Sequence, residues 1–253
     1  MTEMTERDPG RPILEPKVEE ILRTVEGEIP EPVVALPRKP LDREERTIRE
    51  LLLRMGSIIE ERIRLTIESL EEHDPEKALF VIRGDEEINA LQIEAMDHVV
   101  LTIATQAPVA RDLRYLMTLD RIGSHLERIG DSVANVAKRA RELAPEAPLD
   151  GQIGVPEMGR LAAQFLSEAM RALTDADADV ARRVAVRDDE IDILYHRAVD
   201  RVAELAKADP GNVDRALRLL IAARYMERVG DHITDIAEDV VFLSSGRHED
   251  LNP

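Results

Sequence analysis

The sequence predicts an all-α protein in which six long helices form two tandem, pseudo-symmetric three-helix bundles. Three observations predict it. The apolar supply is Leu, Ile, Val, Ala and Met, with aromatics at 2%, no Trp and 12 Gly in 253 residues, a mixture that favours helices over sheets. Charged residues reach 34%, which suits amphipathic helices with solvated outer faces. Apolar residues recur with helical period through most of the chain, and the pattern occurs twice.

Taken in order, residues 1–41 come first. They hold seven of the fourteen prolines, Pro9, Pro12, Pro16, Pro30, Pro32, Pro37 and Pro40, with charge between them. Such a segment buries too little apolar surface to offset its ordering entropy, so it reads as a flexible tail with one short helix around Val18–Val25. From Asp42 onward the prolines become punctuation. The intervals predict helices over roughly 42–72, 75–106, 109–142, 156–174, 177–208 and 211–243. Asp42 with Glu45 reads as a capping box, and Asp74-Pro75 and Asp209-Pro210 place a carboxylate cap before a proline at the first helical position. Pro108 and Pro156 mark two more starts. Residues 144–155, with Pro145, Pro148 and two glycines, read as a linker. The expected organisation is a first unit over 42–143, a second over 156–243 and a C-terminal tail over 244–253.

The two units look like copies. Arg83-Gly84-Asp85-Glu86-Glu87-Ile88-Asn89 aligns with Arg187-Asp188-Asp189-Glu190-Ile191-Asp192 when Asp85 meets Asp188 and Asn89 meets Asp192, an offset of 103 (188 − 85). Leu126-Glu127-Arg128-Ile129-Gly130-Asp131 matches Met226-Glu227-Arg228-Val229-Gly230-Asp231 at an offset of 100 (226 − 126). Internal duplication of this length sets the architecture before any local detail does, and it predicts that Asp85 superimposes on Asp188 and Glu127 on Glu227.

At about 100° per residue, Ile122, Leu126, Ile129, Val133 and Val136 form one apolar stripe. Glu127, Asp131 and Asn135 form a row on the opposite face, which Asp120 joins. In the second copy Met226, Val229, Ile233 and Ile236 make the stripe and Glu227, Asp231, Asp235 and Glu238 the row. A row of acids is ordinarily a solvated face, yet like charges at i,i+4 repel by about 0.2–0.5 kcal/mol per pair, and a solvated face usually mixes signs. The same Glu-x-x-x-Asp pair stands at the same place in both copies, extended by a third oxygen ligand at i+8. The second helix of each unit adds Asp85/Asn89 and Asp188/Asp192. Two oxygen-rich edges facing one another suit hard or borderline cations. The candidate ligands are therefore Asp85, Asn89, Glu127, Asp131, Asp188, Asp192, Glu227, Asp231 and Asp235. Fe, Zn, Mn and Mg all accept such oxygens, as divalent or trivalent ions. Gly130 and Gly230, each just before the second acid of its pair, suit close packing of a neighbouring helix or clearance for metal-bound oxygens.

Other chemistries find little support. A formal net charge of −18 opposes binding to nucleic acid and to anionic membrane surfaces. The absence of Cys excludes disulfides, thiolate metal sites and thiol nucleophiles. There is no Gly-x-x-x-x-Gly-Lys, no Gly-x-Gly-x-x-Gly and no Glu-x-x-His of ferritin-like di-iron proteins. His232 follows Asp231 and is a further possible ligand. No apolar run approaches the roughly 20 residues of a membrane span, and no signal core opens the chain, so a cytoplasmic protein is expected.

The two Glu-Arg-(Ile/Val)-Gly-Asp segments, the second continuing into His232, together with Gln106-Ala107-Pro108-Val109-Ala110-Arg111-Asp112-Leu113-Arg114, resemble the PhoU family from about residue 45 to residue 243. The resemblance implies paired three-helix bundles whose Glu/Asp-x-x-x-Asp motifs hold multinuclear metal clusters. Position by position, the ligands would be Asp85, Glu127 and Asp131 in the first unit and Asp188, Asp192, Glu227 and Asp231 in the second. Asn89 stands where an acid is expected, and Asn212-Val213-Asp214-Arg215 replaces Arg-Asp-Leu-Arg. The implied role is cytoplasmic and non-enzymatic: a negative regulator, expected as a homodimer, that relays the state of a phosphate ABC transporter, through its ATPase subunit, to a sensor histidine kinase. Two rival readings are a carboxylate-metal hydrolase or oxidase and a purely structural helical module.

Overall fold

The computed structural model describes residues 39–149 and 153–251. The proline-rich segment before residue 39, with its expected short helix, lies outside them. The described residues contain no strand and form α1 (Lys39–Glu72), α2 (Pro75–Gln106), α3 (Arg111–Leu143), α4 (Val155–Asp175), α5 (Ala178–Val186), α6 (Asp189–Ala208) and α7 (Val213–Ser245). Here α1, α2 and α3 make one bundle, and α4, the α5–α6 pair and α7 make the other.

Three local differences from the sequence expectation have physical causes. Helix α1 starts at Lys39, so Asp42 is an acid of the first turn, favourable to the helix dipole without being the cap. The fifth predicted helix breaks after Val186. Arg187 closes the helix at φ −86°, ψ −2°, and tight bonds from Glu190 N to Arg187 O (3.0 Å) and Ile191 N to Asp188 O (2.8 Å) carry the chain round. The last helix begins at Val213 after a 3₁₀ turn over Pro210–Asn212, with the Asp209 side chain accepting from Gly211 N.

The first turn of each unit is built twice to the same plan, every element 103 residues apart. His73 (φ 55°) and Ala176 (φ 51°) are both left-handed. Asp74 N donates to Ser69 O and Asp177 N to Ala172 O, each at 3.0 Å. Asp74 Oδ1 then accepts from Glu76 N and Lys77 N, and Asp177 Oδ1 accepts from Asp179 N and Val180 N. Each carboxylate satisfies two of the orphan amides of its helix, an interaction worth about 1 kcal/mol.

The bundles share one core, with α1 packed on α4 and α3 packed on α7. Glycines record how α1 meets α4. A methyl added at Gly56 would stand 2.8 Å from Met170 Cγ, and one at Gly159 would stand 2.4 Å from Ile67 Cδ1. Position 159 is 56 + 103 and position 170 is 67 + 103, so the second contact is the first with the partners exchanged. That exchange is the signature of a twofold axis relating the units. The core is mostly aliphatic, with Leu126 and Met226 among its fully buried members; cutting either to Ala would cost about 2–5 kcal/mol.

The segments expected to be linker and tail are tied down where they are described. Leu149 and Ile153 are buried. Glu146 pairs with Arg218 at 2.6 Å, and Arg215 donates to Ala147 O at 2.7 Å. Arg215, from the segment replacing Arg-Asp-Leu-Arg, thus fastens the connection to α7. After α7, Arg182 makes a two-pronged bond to Glu249 and Leu251 N donates to Glu238.

Candidate metal centres

In each unit, acids of the two helical rows lie close enough to influence one another's charge. In the first unit, Asp85 of α2 comes within hydrogen-bonding reach of Asp131 of α3. Burial and the Asp131 charge raise the Asp85 carboxyl above its ordinary range. Glu127 is raised too, first by burial, then by Asp131 and Asp85. Asn89 Oδ1 is buried without a hydrogen-bond partner. Arg62, Lys138 and Arg128 partly compensate this cluster electrostatically.

In the second unit, Glu227 is raised by burial and by Asp231 and Asp192, and Asp231 by burial and Asp192. Asp188, only 5% exposed, lines a groove with Asp192, Asp231, Thr234, Asp235, Glu238 and Asp250. Glu227 Oε1 accepts from Arg224, while Oε2 is buried with no hydrogen-bond partner.

Both glycines allow close packing of the neighbouring helix. Gly130 packs on Ile88 and Gly230 on Ile191, the same contact in each unit, since Ile88 and Ile191 are 103 apart. In addition, Asp188 Oδ1 lies 2.5 Å from where a Gly230 methyl would stand. The backbone at Gly230 makes room for a ligand oxygen, and the α5–α6 break lets Asp188 reach it.

Two positions in the rows go elsewhere. Asn135 donates to Asp131 O at 2.8 Å and accepts from Lys138 at 3.2 Å, so it caps its own helix surface. Asp235 turns towards the α3–α7 seam, where its Oδ2 lies 3.2 Å from Nδ1 of His125 and 3.2 Å from Nδ1 of His232. These contacts hold its carboxyl far below the usual carboxylate range. One turn away, Arg121 of α3 pairs with buried Asp239 of α7. His125 went unnoticed in the sequence because its partners lie on α7, more than a hundred residues on.

The donor set fits a cation. Carboxylates from two helices crowd together in each unit, which pushes their pKa values up, and an unserved buried oxygen, Asn89 Oδ1 or Glu227 Oε2, stands in each. Unpaired buried oxygens are expensive, and a bound ion would satisfy them. Asp85, Glu127, Asp131 and Asn89 would hold it in one unit, Asp188, Asp192, Glu227 and Asp231 in the other.

A duplicated helical protein with an acid-lined site in each half is the class that fold and site define. The PhoU domain model matches residues 52–140 and again 155–240, and the chain belongs to the PhoU family. A phosphate-specific transport system accessory protein PhoU homolog from Clostridium acetobutylicum is 32% identical over 218 residues, 86% of this chain and 100% of the relative. The crystal structure of PhoU from Pseudomonas aeruginosa superimposes with a TM-score of 0.79 at 32% identity, covering 81% of this chain and 99% of that one. That of the phosphate transport system regulatory protein PhoU from Streptococcus pneumoniae gives 0.77 at 26% identity, covering 83% and 99%.

Proposed function

We propose that this chain is a metal-binding regulator of phosphate transport that works by protein contact, restraining uptake and linking the transporter's ATPase subunit to a sensor histidine kinase. The observation that carries this reading is the family match over both repeats, whose relatives are named as accessory or regulatory proteins of phosphate transport. The acid sites act as structural centres that fix α2 against α3 and α6 against α7, with Fe, Zn, Mn or Mg as candidate ions. No helix of the described residues is long and apolar enough to cross a membrane, so the transporter is reached from a surface.

That surface has a marked end. Val100, Leu101, Val109, Leu113 and Met117 are exposed around the Gln106–Arg114 segment, and Leu217, the repeat counterpart of Met117, is exposed too. Arg111 and Arg114 of the same segment line a cavity of about 540 Å³ with Arg49 and Tyr115. Exposed apolar residues rimmed by arginine suit a protein interface. A homodimer through the same residues competes with the transporter for this surface.

The test is a deletion strain complemented by wild type or by a Val109→Asp/Leu113→Asp variant. Wild type should restore repression of phosphate-starvation genes in high phosphate and co-purify with the ATPase subunit or kinase, and the variant should do neither. Normal repression in the deletion strain, with neither partner recovered, would refute the assignment. Measurable turnover of phosphate esters by the metal-loaded protein would favour a carboxylate-metal hydrolase.

A further inference from the structure

We propose that His125, His232 and Asp235 form a third metal site, adjoining the second acid cluster but with ligands of its own, that takes a borderline divalent ion such as Zn²⁺ and staples α3 of the first unit to α7 of the second. Two imidazoles and one carboxylate are a nitrogen-rich set, unlike the all-oxygen clusters, and imidazole selects Zn, Fe or Ni over Mg or Ca.

Geometry carries the inference. The two Nδ1 atoms come from different helices, yet each lies 3.2 Å from the same Asp235 Oδ2. Ligands held about 2.0–2.1 Å from a tetrahedral zinc stand roughly 3.3 Å apart along each edge. The ligating atoms of all three residues lie within 4.8 Å of one another, so closing the two rings on the ion would complete the face. The rings are tilted by 44° with centroids 5.6 Å apart, so they are not stacked on each other and both nitrogens stay directed inward.

Hydrogen bonding leaves the cluster incomplete. His232 Nδ1 makes an acceptable bond to Asp235. His125 Nδ1, at the same distance, is buried and without a hydrogen-bond partner. Both imidazole nitrogens face the same carboxylate oxygen at 3.2 Å, which places them to share a cation with it. Asp235 also lines the groove with Asp188, Asp192 and Asp231, which supplies an entry path and room for water at the remaining coordination position.

The repeat argues that packing alone does not demand these residues. Exchanging partners through the twofold relation, at the 100-residue offset of α3 and α7, puts Tyr225, Ser132 and Asn135 at the positions of His125, His232 and Asp235. The seam can thus be filled on its other side with no histidine. The ligand set exists once, at one of two related places.

The experiment uses the full chain with the acid clusters disabled by Glu127→Gln, Asp131→Asn, Glu227→Gln and Asp231→Asn together. After chelation and dialysis, calorimetric titration with Zn²⁺ alone should show one site per chain. Adding His125→Tyr, which imports the repeat's own residue, should weaken that site by more than the 10–100-fold that loss of an outer-shell partner costs. No zinc bound by the quadruple variant, or unchanged binding after His125→Tyr, overturns the proposal. If the quadruple variant does not fold, nitrogen-15 NMR of the wild-type imidazoles decides. One equivalent of Zn²⁺ should shift the Nδ1 signals of two histidines together, and if no pair of Nδ1 signals moves up to saturation the site does not exist.

Discussion

The two repeats share a frame and differ in where their charge sits. At positions 62/165 and 84/187 they reverse roles. In the first unit Arg62 of α1, buried, lies against Gly84 of α2, where an added methyl would stand 2.7 Å from its guanidinium, and donates to Glu87 at 3.0 Å. In the second unit the aromatic Phe165 takes the place of Arg62, and Arg187, in the place of Gly84, stacks on it at 4.4 Å. One unit brings a cation from the first helix beside Asp85. The other brings it from the helix break and leaves four acids, Asp188, Asp192, Glu227 and Asp231, with Arg224 as the cation that offsets Glu227 and Asp231. Duplication preserves apolar packing and caps, whereas the charge at each site is free to drift.

The second unit, richer in acid, should therefore depend more on a cation. Removing Glu227 and Asp231 together, as Ala, should lower stability in metal excess by about 3 kcal/mol, the linkage expected near a hundredfold excess over Kd. The Glu127→Ala/Asp131→Ala pair should lose less. Thermal melts with and without chelator measure both, and a second-unit pair that melts like wild type in excess metal would break the comparison. A pair that melts higher than wild type after chelation would show the relief of like-charge repulsion expected in the empty state.

Asp239 offers a pH test of the seam. Burial pushes its carboxyl up to about 6 despite the Arg121 partner. A folded pKa above the unfolded value gives stability that is full below about pH 4 and is lost as pH rises through about 6. The ionised group then costs the fold on the order of 2 kcal/mol at neutral pH. Asp239→Asn should abolish that loss, so its melting temperature should gain on wild type between pH 4 and pH 7. Parallel curves for the two proteins would contradict it.

The glycine pair sharpens the comparison at single-atom scale. Gly130→Ala meets the apolar side chain of Ile88, with Cδ1 2.7 Å and Cγ2 3.3 Å away. Its helix-propensity gain of about 1 kcal/mol should leave stability within about 1 kcal/mol of wild type. Gly230→Ala meets the buried Asp188 oxygen and should cost about 1–3 kcal/mol and lower metal content. Equal effects at both sites would mean that Asp188 is not held where the second site needs it.

The smallest effect belongs to Asn89→Asp, which gives the first unit the acid found at Asp192. Without metal it should destabilise by a few tenths of a kcal/mol through like-charge contact. With metal it should tighten binding, which titration calorimetry reads.

Much of this was legible in sequence because it is local. Caps at Asp74 and Asp209, helical periodicity and the offsets of 103 and 100 are carried by neighbouring residues, and the rows of Glu127/Asp131 and Glu227/Asp231 follow from the helix turn. The break before Asp188 was not legible, since Ala185-Val186-Arg187-Asp188-Asp189 contains neither Gly nor Pro, and what accompanies it, the seat of Asp188 over Gly230, is a tertiary contact. Nor was the seam, because His125 meets Asp235 only through the docking of α3 on α7. Asn135 shows the reverse error. Its spacing was right for a ligand, but an amide with a backbone oxygen and Lys138 at hand bonds to those.

On the proposed function, each repeat holds metal through its own acid pair. The direct measurement is metal content per chain, by native mass spectrometry and elemental analysis after loading and gel filtration, for wild type, Glu127→Ala/Asp131→Ala and Glu227→Ala/Asp231→Ala. Wild type should retain metal, each pair of substitutions should remove only its own unit's share, and the second-unit share should be held more tightly. Wild type that retains no metal, or three proteins with the same content, would contradict the claim.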